Sequence, residues 1–383
     1  MKSIVHIDLD TFFVSCERLV NSQLQGKPLI IGGSKDRGVV SSCSYEARRF
    51  NVRSGMPMRY ATSLCPEAIV IKGDMELYSN KSKEVTQIIK ESSPIMEKAS
   101  VDEFYLDITG MDRFHGCSKW STELANKVTK ETGLPISYGL SINKTVSKIA
   151  TGEGKPVGRV QVEMDHIKPF MYPLSIRKIP MVGNQTANSL NRIGIRKIKT
   201  LAEMPLDVLI TLIGKNGKTI WNKANGIDNS PVIEHRERKS ISTERTFDAD
   251  TMDLIKLKSV LSRMVEKLCF DLRKSKRLTS TVTVKIRYTN FDTETKRRQI
   301  NYTSRDDVIL PIVNDLFEIL YQRRMRLRLV GIAFSDLVGG HYQIDLFEDS
   351  MEAIALYQAI DKIKSRYGEQ FVQRGTSFQT KKR

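Results

Sequence analysis

The sequence contains no run of about 18 apolar residues, the length a helix needs to cross a bilayer. Its first residues, MKSIVHIDLDTFF, are apolar only in short pieces and carry two acids, which argues against a secretory leader. Cysteine is scarce. Cys16, Cys43, Cys65, Cys117 and Cys269 form no CxxC pair and no zinc spacing, and an odd number in a long chain reads as reduced thiols in a cytoplasm. The His/Cys groupings that zinc takes are missing too. Positive charge, in contrast, is abundant: 61 Lys and Arg stand against 44 Asp and Glu, a net charge of +17. A polyanion is the natural partner, and nucleic acid comes before a membrane because there is no basic amphipathic anchor. The excess is spread along the chain, which suits a partner that touches several domains. The 383 residues, 40% of them hydrophobic, supply real cores for about two to four domains.

Apolar periodicity divides the chain. Residues 2–9 alternate like a strand that ends in acids, and 27–32 and 37–43 read as short strands around a glycine turn. Helical spacing covers 44–53 and 76–92. A strand at 100–109, a helix over 118–132, a strand at 135–142 and a helix over 143–152 follow, an α+β pattern. From residue 166 the texture changes to short helices broken by Pro and Gly. Residues 232–241, VIEHRERKSI, are charged and aperiodic and read as a linker. A second α+β module has a helix at 253–275, strands at 279–290 and 296–303, a helix at 307–324 and a strand at 327–338. An amphipathic helix over 348–367, with no evident role, precedes a basic tail.

Two stretches carry the chemistry. VHIDLD puts Asp8 and Asp10 two apart, on one face of a regular strand. SVDEFYLDITG sets Asp102 beside Glu103 at the start of another apolar strand. An unpaired buried carboxylate costs several kcal/mol, and clustered acids repel unless a hard cation lies between them. Mg²⁺ prefers such oxygen donors. Two ions about 3.5–4 Å apart stabilise the attacking and leaving oxygens of phosphoryl transfer. On the residues alone, solvated strand ends paired with Lys or Arg explain these acids equally well.

Four segments decide between the two readings. HIDLDTFFVSCE, SCSYEARRFNVRSGMPMRYA, SVDEFYLDITG and GLSINKTVSKIATGEGKPVG stand in the order and spacing of the Y-family translesion DNA polymerases, and the chain resembles their DinB-type branch from residue 3 to at least 338. The resemblance implies a multi-domain α+β right-hand fold with palm (1–10 and 74–165), fingers (11–73), thumb (166–231), the 232–241 linker, an additional little finger (242–341) and a tail (342–383). It implies that Asp8, Asp102 and Glu103 are catalytic and hold two Mg²⁺ ions, with the Leu9 carbonyl completing the nucleotide-side metal. Asp10 is then supporting and Asp107 structural. Phe13 falls at the steric-gate position, where a flat ring leaves no room for a 2′-hydroxyl, and Phe12 flanks it. Tyr45 and Arg48, one helical turn apart, resemble the residues that hold the triphosphate, as does Lys155. Ser41 and Ser42 would lie over the nascent base pair, with the Ser42 hydroxyl toward a phosphate.

Residues 177–195 resemble the helix-hairpin-helix of the thumb, where Gly183 would meet a DNA phosphate. The usual hairpin has two glycines, and Met181 stands in place of the first. QIDLF has the form of a bacterial sliding-clamp peptide, with Gln343, Leu346 and Phe347 as its contacts. The expected partners are therefore primer–template DNA, an incoming dNTP and the sliding clamp, for a chain acting as a monomer in the cytoplasm without a membrane. The rivals are a UmuC-type subunit that needs accessory proteins, a catalytically weak DNA-binding paralogue, and a two-metal nuclease, which has no use for a gate or a triphosphate grip.

Overall fold

The computed structural model describes residues 2–34, 37–111, 116–235, 237–340, 350–369 and 371–375. The chain folds into two compact units, Met1–Arg236 and Glu237–Arg383. The first runs β1 (Ile4–Leu9), α1 (Phe12–Val20), β2 (Leu29–Gly32), β3 (Val40–Cys43), α2 (Tyr45–Arg49), α3 (Met58–Leu64), β4 (Ile69–Lys72) and α4 (Met75–Ser92). It continues through β5 (Ile95–Lys98), β6 (Glu103–Asp107), α5 (Cys117–Thr132), β7 (Ile136–Ser141), α6 (Lys144–Gly154) and β8 (Arg159–Gln161). Five short helices close it: α7 (Ile167–Met171), α8 (Asn184–Arg192), α9 (Ile198–Ala202), α10 (Leu206–Ile213) and α11 (Asn216–Ala224).

A five-stranded sheet in the order β5-β6-β1-β7-β8 centres on β1, which is antiparallel to both neighbours. One face buries Val5, Ile7, Phe104 and Leu106 with α4 and α5 residues such as Val85, Ile89, Leu124 and Val128. The other face is polar and lies under α6. Gly139 on β7 makes that packing possible, since a Cβ there would sit 2.2 Å from the Ser147 carbonyl. A smaller sheet, β3-β2-β4, covers its own cluster around Ile30, Val40, Ala47 and Met58. The five short helices share a third core, including Ile176, Leu190, Leu201 and Leu209.

Sequence reading missed α1, α3, β4, β5 and β8. All are nine residues or shorter, too brief to show a period, and three are strands of three or four residues. Met181 adopts φ 80° while 58% exposed, so the hairpin keeps the left-handed turn that a glycine would take without strain. Met181→Gly is therefore expected to stabilise this unit by about 1 kcal/mol, seen as a raised Tm. A lowered Tm would show that the methionine side chain is holding the turn.

The second unit has β9 (Ser240–Thr251), α12 (Leu254–Lys274), β10 (Arg277–Tyr288), β11 (Thr293–Thr303), α13 (Asp306–Leu320), β12 (Leu327–Gly339) and α14 (Ser350–Tyr367). Residues 240 and 241, read as linker from their charge, instead open the edge strand β9. The sheet, β11-β10-β12-β9, is antiparallel throughout. Val282, Val284, Ile286, Ile332 and Phe334 pack on α12 and α13. The opposite face is partly open and carries Lys285, Arg287 and Arg297.

Helix α14, unassigned from sequence, docks by polar contacts. Asp361 takes two hydrogen bonds from Arg273, at 2.7 and 2.8 Å, and the Tyr357 hydroxyl donates to Asp307 Oδ1 at 2.7 Å. Arg374, beyond the helix, donates to Asp306 at 3.0 Å. Burial pushes the Asp307 carboxyl up, but hydrogen bonds from Arg305 and Tyr357 outweigh it and bring the group down to about 2. A depressed carboxyl stabilises the fold above its unfolded value of about 4, and that contribution is lost as pH falls through the folded value. The Tm difference between wild type and Asp307→Asn should thus be constant above about pH 5 and shrink between about pH 4 and 2. A difference independent of pH would mean that Asp307 contributes nothing as an anion.

Candidate active site

The register of the large sheet builds the site. Asp8 on β1 stands directly opposite Glu103 on β6 and Ser137 on β7. The Leu9 N–H donates to the Asp102 carbonyl at 3.0 Å, which fixes the 102–103 turn against the end of β1. The Ser100 hydroxyl accepts from the backbone N–H groups of Asp102 and Glu103, at 3.2 and 2.9 Å, and donates to Asp102 Oδ1 at 2.5 Å. Asp8 and Glu103 thus stand in register at one end of two neighbouring strands, with Asp102 in the turn beside them.

Like charges directly opposite in a ladder are destabilising, and each here is compensated. Lys155, at the C-cap of α6, bonds Asp8 and lies 3.8 Å from Asp10. Lys148 donates to both Glu103 oxygens at 2.6 Å. Burial pushes the Asp8 carboxyl up to about 6. Lys155 opposes the rise, and the charges of Asp102 and Glu103 add to it.

Asp10 is 1% exposed and lies beside the cluster, sharing Lys155 with Asp8. It accepts hydrogen bonds from Ser137 Oγ and the Val157 N–H, both at 2.7 Å, and from the Tyr45 hydroxyl at 3.3 Å. One buried carboxylate therefore ties together β7, the loop after Lys155 and helix α2. Burial, then the Asp10 charge, push the Tyr45 phenol far above its usual value, so it remains a proton donor. The Arg48 guanidinium lies 4.9 Å over the Tyr45 ring, one turn along α2. Ser44 caps α2 by accepting from the Ala47 N–H at 3.2 Å.

Phe12 is buried, and Phe13 is half-buried and stacked on Tyr78, with centroids 4.3 Å apart and 12° between planes. Ser42 is buried in β3 and Ser41 exposed. Gly183 caps α8 at φ −79°, an ordinary backbone value, among the short helices rather than at the sheet. Gln343, Leu346 and Phe347 lie outside the described residues.

The sequence reading passed over Ser100, Ser137, Tyr78 and Lys148. Lys148 alone left a usable signal: Lys144, Lys148, Thr151 and Lys155 recur at helical spacing across α6.

The profile of the impB/mucB/samB family matches residues 7–152, and that of its C-terminal domain matches residues 238–346. A DNA polymerase IV of Dehalococcoides mccartyi is 35% identical over 385 aligned residues, covering 100% of this chain and 99% of the relative. A DNA polymerase IV of Clostridium perfringens is 36% identical over 339 residues, covering 88% of this chain and 94% of its own. Among solved structures, a Y-family DNA polymerase chimera of Dbh and Dpo4 superposes with a TM-score of 0.80 at 24% identity, covering 88% of this chain and 100% of that one. An insertion ternary complex of Dbh DNA polymerase gives 0.64 at 23% identity, with the same coverage. The fold is that of the Y-family DNA polymerases, an α+β right hand with palm, fingers, thumb and little finger. The chain belongs to the impB/mucB/samB family, in its DNA polymerase IV group.

Family membership implies dependence on a divalent metal. Among the described residues, no three His, Cys, Asp or Glu side chains are already drawn together as a ligand set. The donors nevertheless fit a hard cation. They are all oxygens, and two of them face each other in register under mutual repulsion that a divalent ion would relieve. Among the described residues, no helix is long and apolar enough to cross a membrane.

Proposed function

We propose that this chain is a low-fidelity, template-directed DNA polymerase for translesion synthesis, adding dNTPs to a primer 3′ end. The observation that carries the reading is the registered Asp8–Glu103 pair beside Asp102, with Lys155 and the Tyr45–Arg48 turn brought to the same strand end by Asp8 and Asp10. Two Mg²⁺ ions held by Asp8, Asp102 and Glu103, with the Leu9 carbonyl, would supply electrostatic stabilisation where charge builds during nucleotidyl transfer. The chain's own groups do the positioning. Tyr45, a retained proton donor, Arg48, Lys155 and the Ser42 hydroxyl grip the triphosphate. Phe13, backed by Phe12 and Tyr78, lies under the sugar and excludes a 2′-hydroxyl. Proofreading is not expected, in keeping with the family.

The palm is assigned to 1–10 and 74–165, around the five-stranded sheet, and the fingers to 11–73, around the three-stranded one. The thumb is 166–231, with Gly183 toward a DNA phosphate, and the little finger, expected over 242–341, is assigned from 240 so that it includes the whole of β9. The open sheet face with Lys285, Arg287 and Arg297 suits a template backbone. Primer–template DNA and dNTP are the substrates, and the chain acts as a monomer in the cytoplasm.

The test is single-nucleotide primer extension by the purified chain with Mg²⁺. Templated addition supports the reading, whereas primer degradation alone would favour a nuclease. DNA binding without extension would point to a missing subunit or a DNA-binding paralogue. The sliding clamp is proposed to bind through Gln343, Leu346 and Phe347. Their joint replacement by Ala should abolish clamp-stimulated synthesis and leave unstimulated synthesis intact; stimulation that persists places the clamp contact elsewhere.

A further inference from the structure

Helix α6 lies across the polar face of the large sheet with its pitch matched to the acids beneath. Lys144 bonds Glu97 at 2.7 Å, Lys148 bonds Glu103, Thr151 lies 2.9 Å from His6 Nδ1, and Lys155 bonds Asp8. The lysine pairs differ in one respect. Lys144–Glu97 is sealed, with side chains 10% and 9% exposed, and Glu97 also accepts from the Ile233 N–H at 2.9 Å. Lys148–Glu103 is open to solvent at 32% and 24% exposure, although both carboxylate oxygens are engaged. The first pair is built as a fixed strut. The second can be reached from solvent.

We propose that Lys148 is a metal-gating counter-ion: it occupies Glu103 until a divalent cation displaces it, and so lowers the affinity of the site for metal alone. This rests on the reading of Asp8, Asp102 and Glu103 as metal ligands. A lysine and a divalent cation compete for the same oxygens, and an ammonium close to a bound ion repels it. Lys155 does the same at Asp8. The ligand that lifts both locks is a metal–nucleotide, whose phosphates offer the lysines a substitute anion. Metal and nucleotide are then taken up together, and their affinities rise by a reciprocal coupling.

The test is Mn²⁺ titration of the full chain, followed by electron paramagnetic resonance, without nucleotide or DNA. Lys148→Met should bind Mn²⁺ about tenfold more tightly than wild type, as expected from removing a charge beside a divalent ion. Lys148→Arg, which keeps the charge, should match wild type, and Glu103→Gln should lose the site. In parallel, Mn²⁺ should raise the Tm of Lys148→Met more than that of wild type. This second readout serves if the variant is unstable without metal, and Lys148→Gln repeats the comparison with a polar side chain. A site lost in Glu103→Gln but unmoved or weakened in Lys148→Met overturns the gating role and leaves the metal ligands standing. Equal Mn²⁺ binding by wild type and Glu103→Gln overturns both.

Discussion

Replacing Asp102 and Glu103 together by Ala is expected to abolish templated primer extension while leaving DNA binding intact. The two residues sit at the start of β6, where Glu103 faces Asp8 across the ladder and the Asp102 carbonyl takes the Leu9 N–H. The backbone hydrogen bonds of that turn do not use the carboxylates, so the sheet end should survive the change. Two oxygen-donor side chains are lost, however, and one carboxylate cannot hold two divalent ions. The expected fall in kcat/KM is at least about 10³-fold, equivalent to ~4 kcal/mol of transition-state stabilisation. Lys148 is left without Glu103, and this provides an internal control. Glu103→Gln keeps the volume and removes only the charge, so it should fall nearly as far if charge is what matters. Near-normal extension by either variant would place the metal ligands elsewhere. A drop in Tm large enough to unfold the chain at the assay temperature would be visible in the same preparation.

The parts of this fold that were legible in sequence are those with a long period. Helices α4, α5 and α12 and the strands β10 and β12 each repeat an apolar face often enough to show it. The acidic pairs were legible as acids, because a charged dipeptide inside a strand of Val, Phe, Tyr and Leu breaks the pattern. What the sequence did not carry was register. Nothing in HIDLD or SVDEF says that Asp8 will face Glu103, or that Asp10, just past the end of β1, will bond Ser137, Val157 and Tyr45. Those partners come from segments 35 to 147 residues away, and the long-range pairing is decided by which faces can be buried together. Helix α14 was visible as a helix, but its docking was not. Tyr357 and Asp361 attach it by hydrogen bonds to Asp307 and Arg273, and an apolar period does not announce such partners.

Phe13→Ala is expected to open the site to ribonucleotides, and the packing around the ring says why the effect should be large. A gate must be held rigid, since a ring that can swing aside excludes nothing. Phe13 is stacked face to face on Tyr78, and Phe12, itself buried, lies with its centroid 5.6 Å from the Phe13 ring. The Tyr78 hydroxyl donates to Glu17 Oε1 at 2.5 Å, which fixes the backing ring to the same helix that carries the gate. The ring is thus braced from two sides, with α1 and α4 as the frame. Removing it should raise the relative kcat/KM for a ribonucleotide over its deoxy counterpart by about 100-fold, a steric term of ~3 kcal/mol. Incorporation of the deoxynucleotide should fall by much less, because the triphosphate grip at Tyr45, Arg48 and Lys155 is untouched. Tyr78→Ala supplies the graded case. It leaves the gate ring in place without its backing, so sugar discrimination should lie between wild type and Phe13→Ala. Discrimination unchanged in Phe13→Ala would remove this residue from beneath the sugar. If it changed in Phe13→Ala but not in Tyr78→Ala, the gate would act by bulk alone and the bracing would be packing without consequence for selectivity.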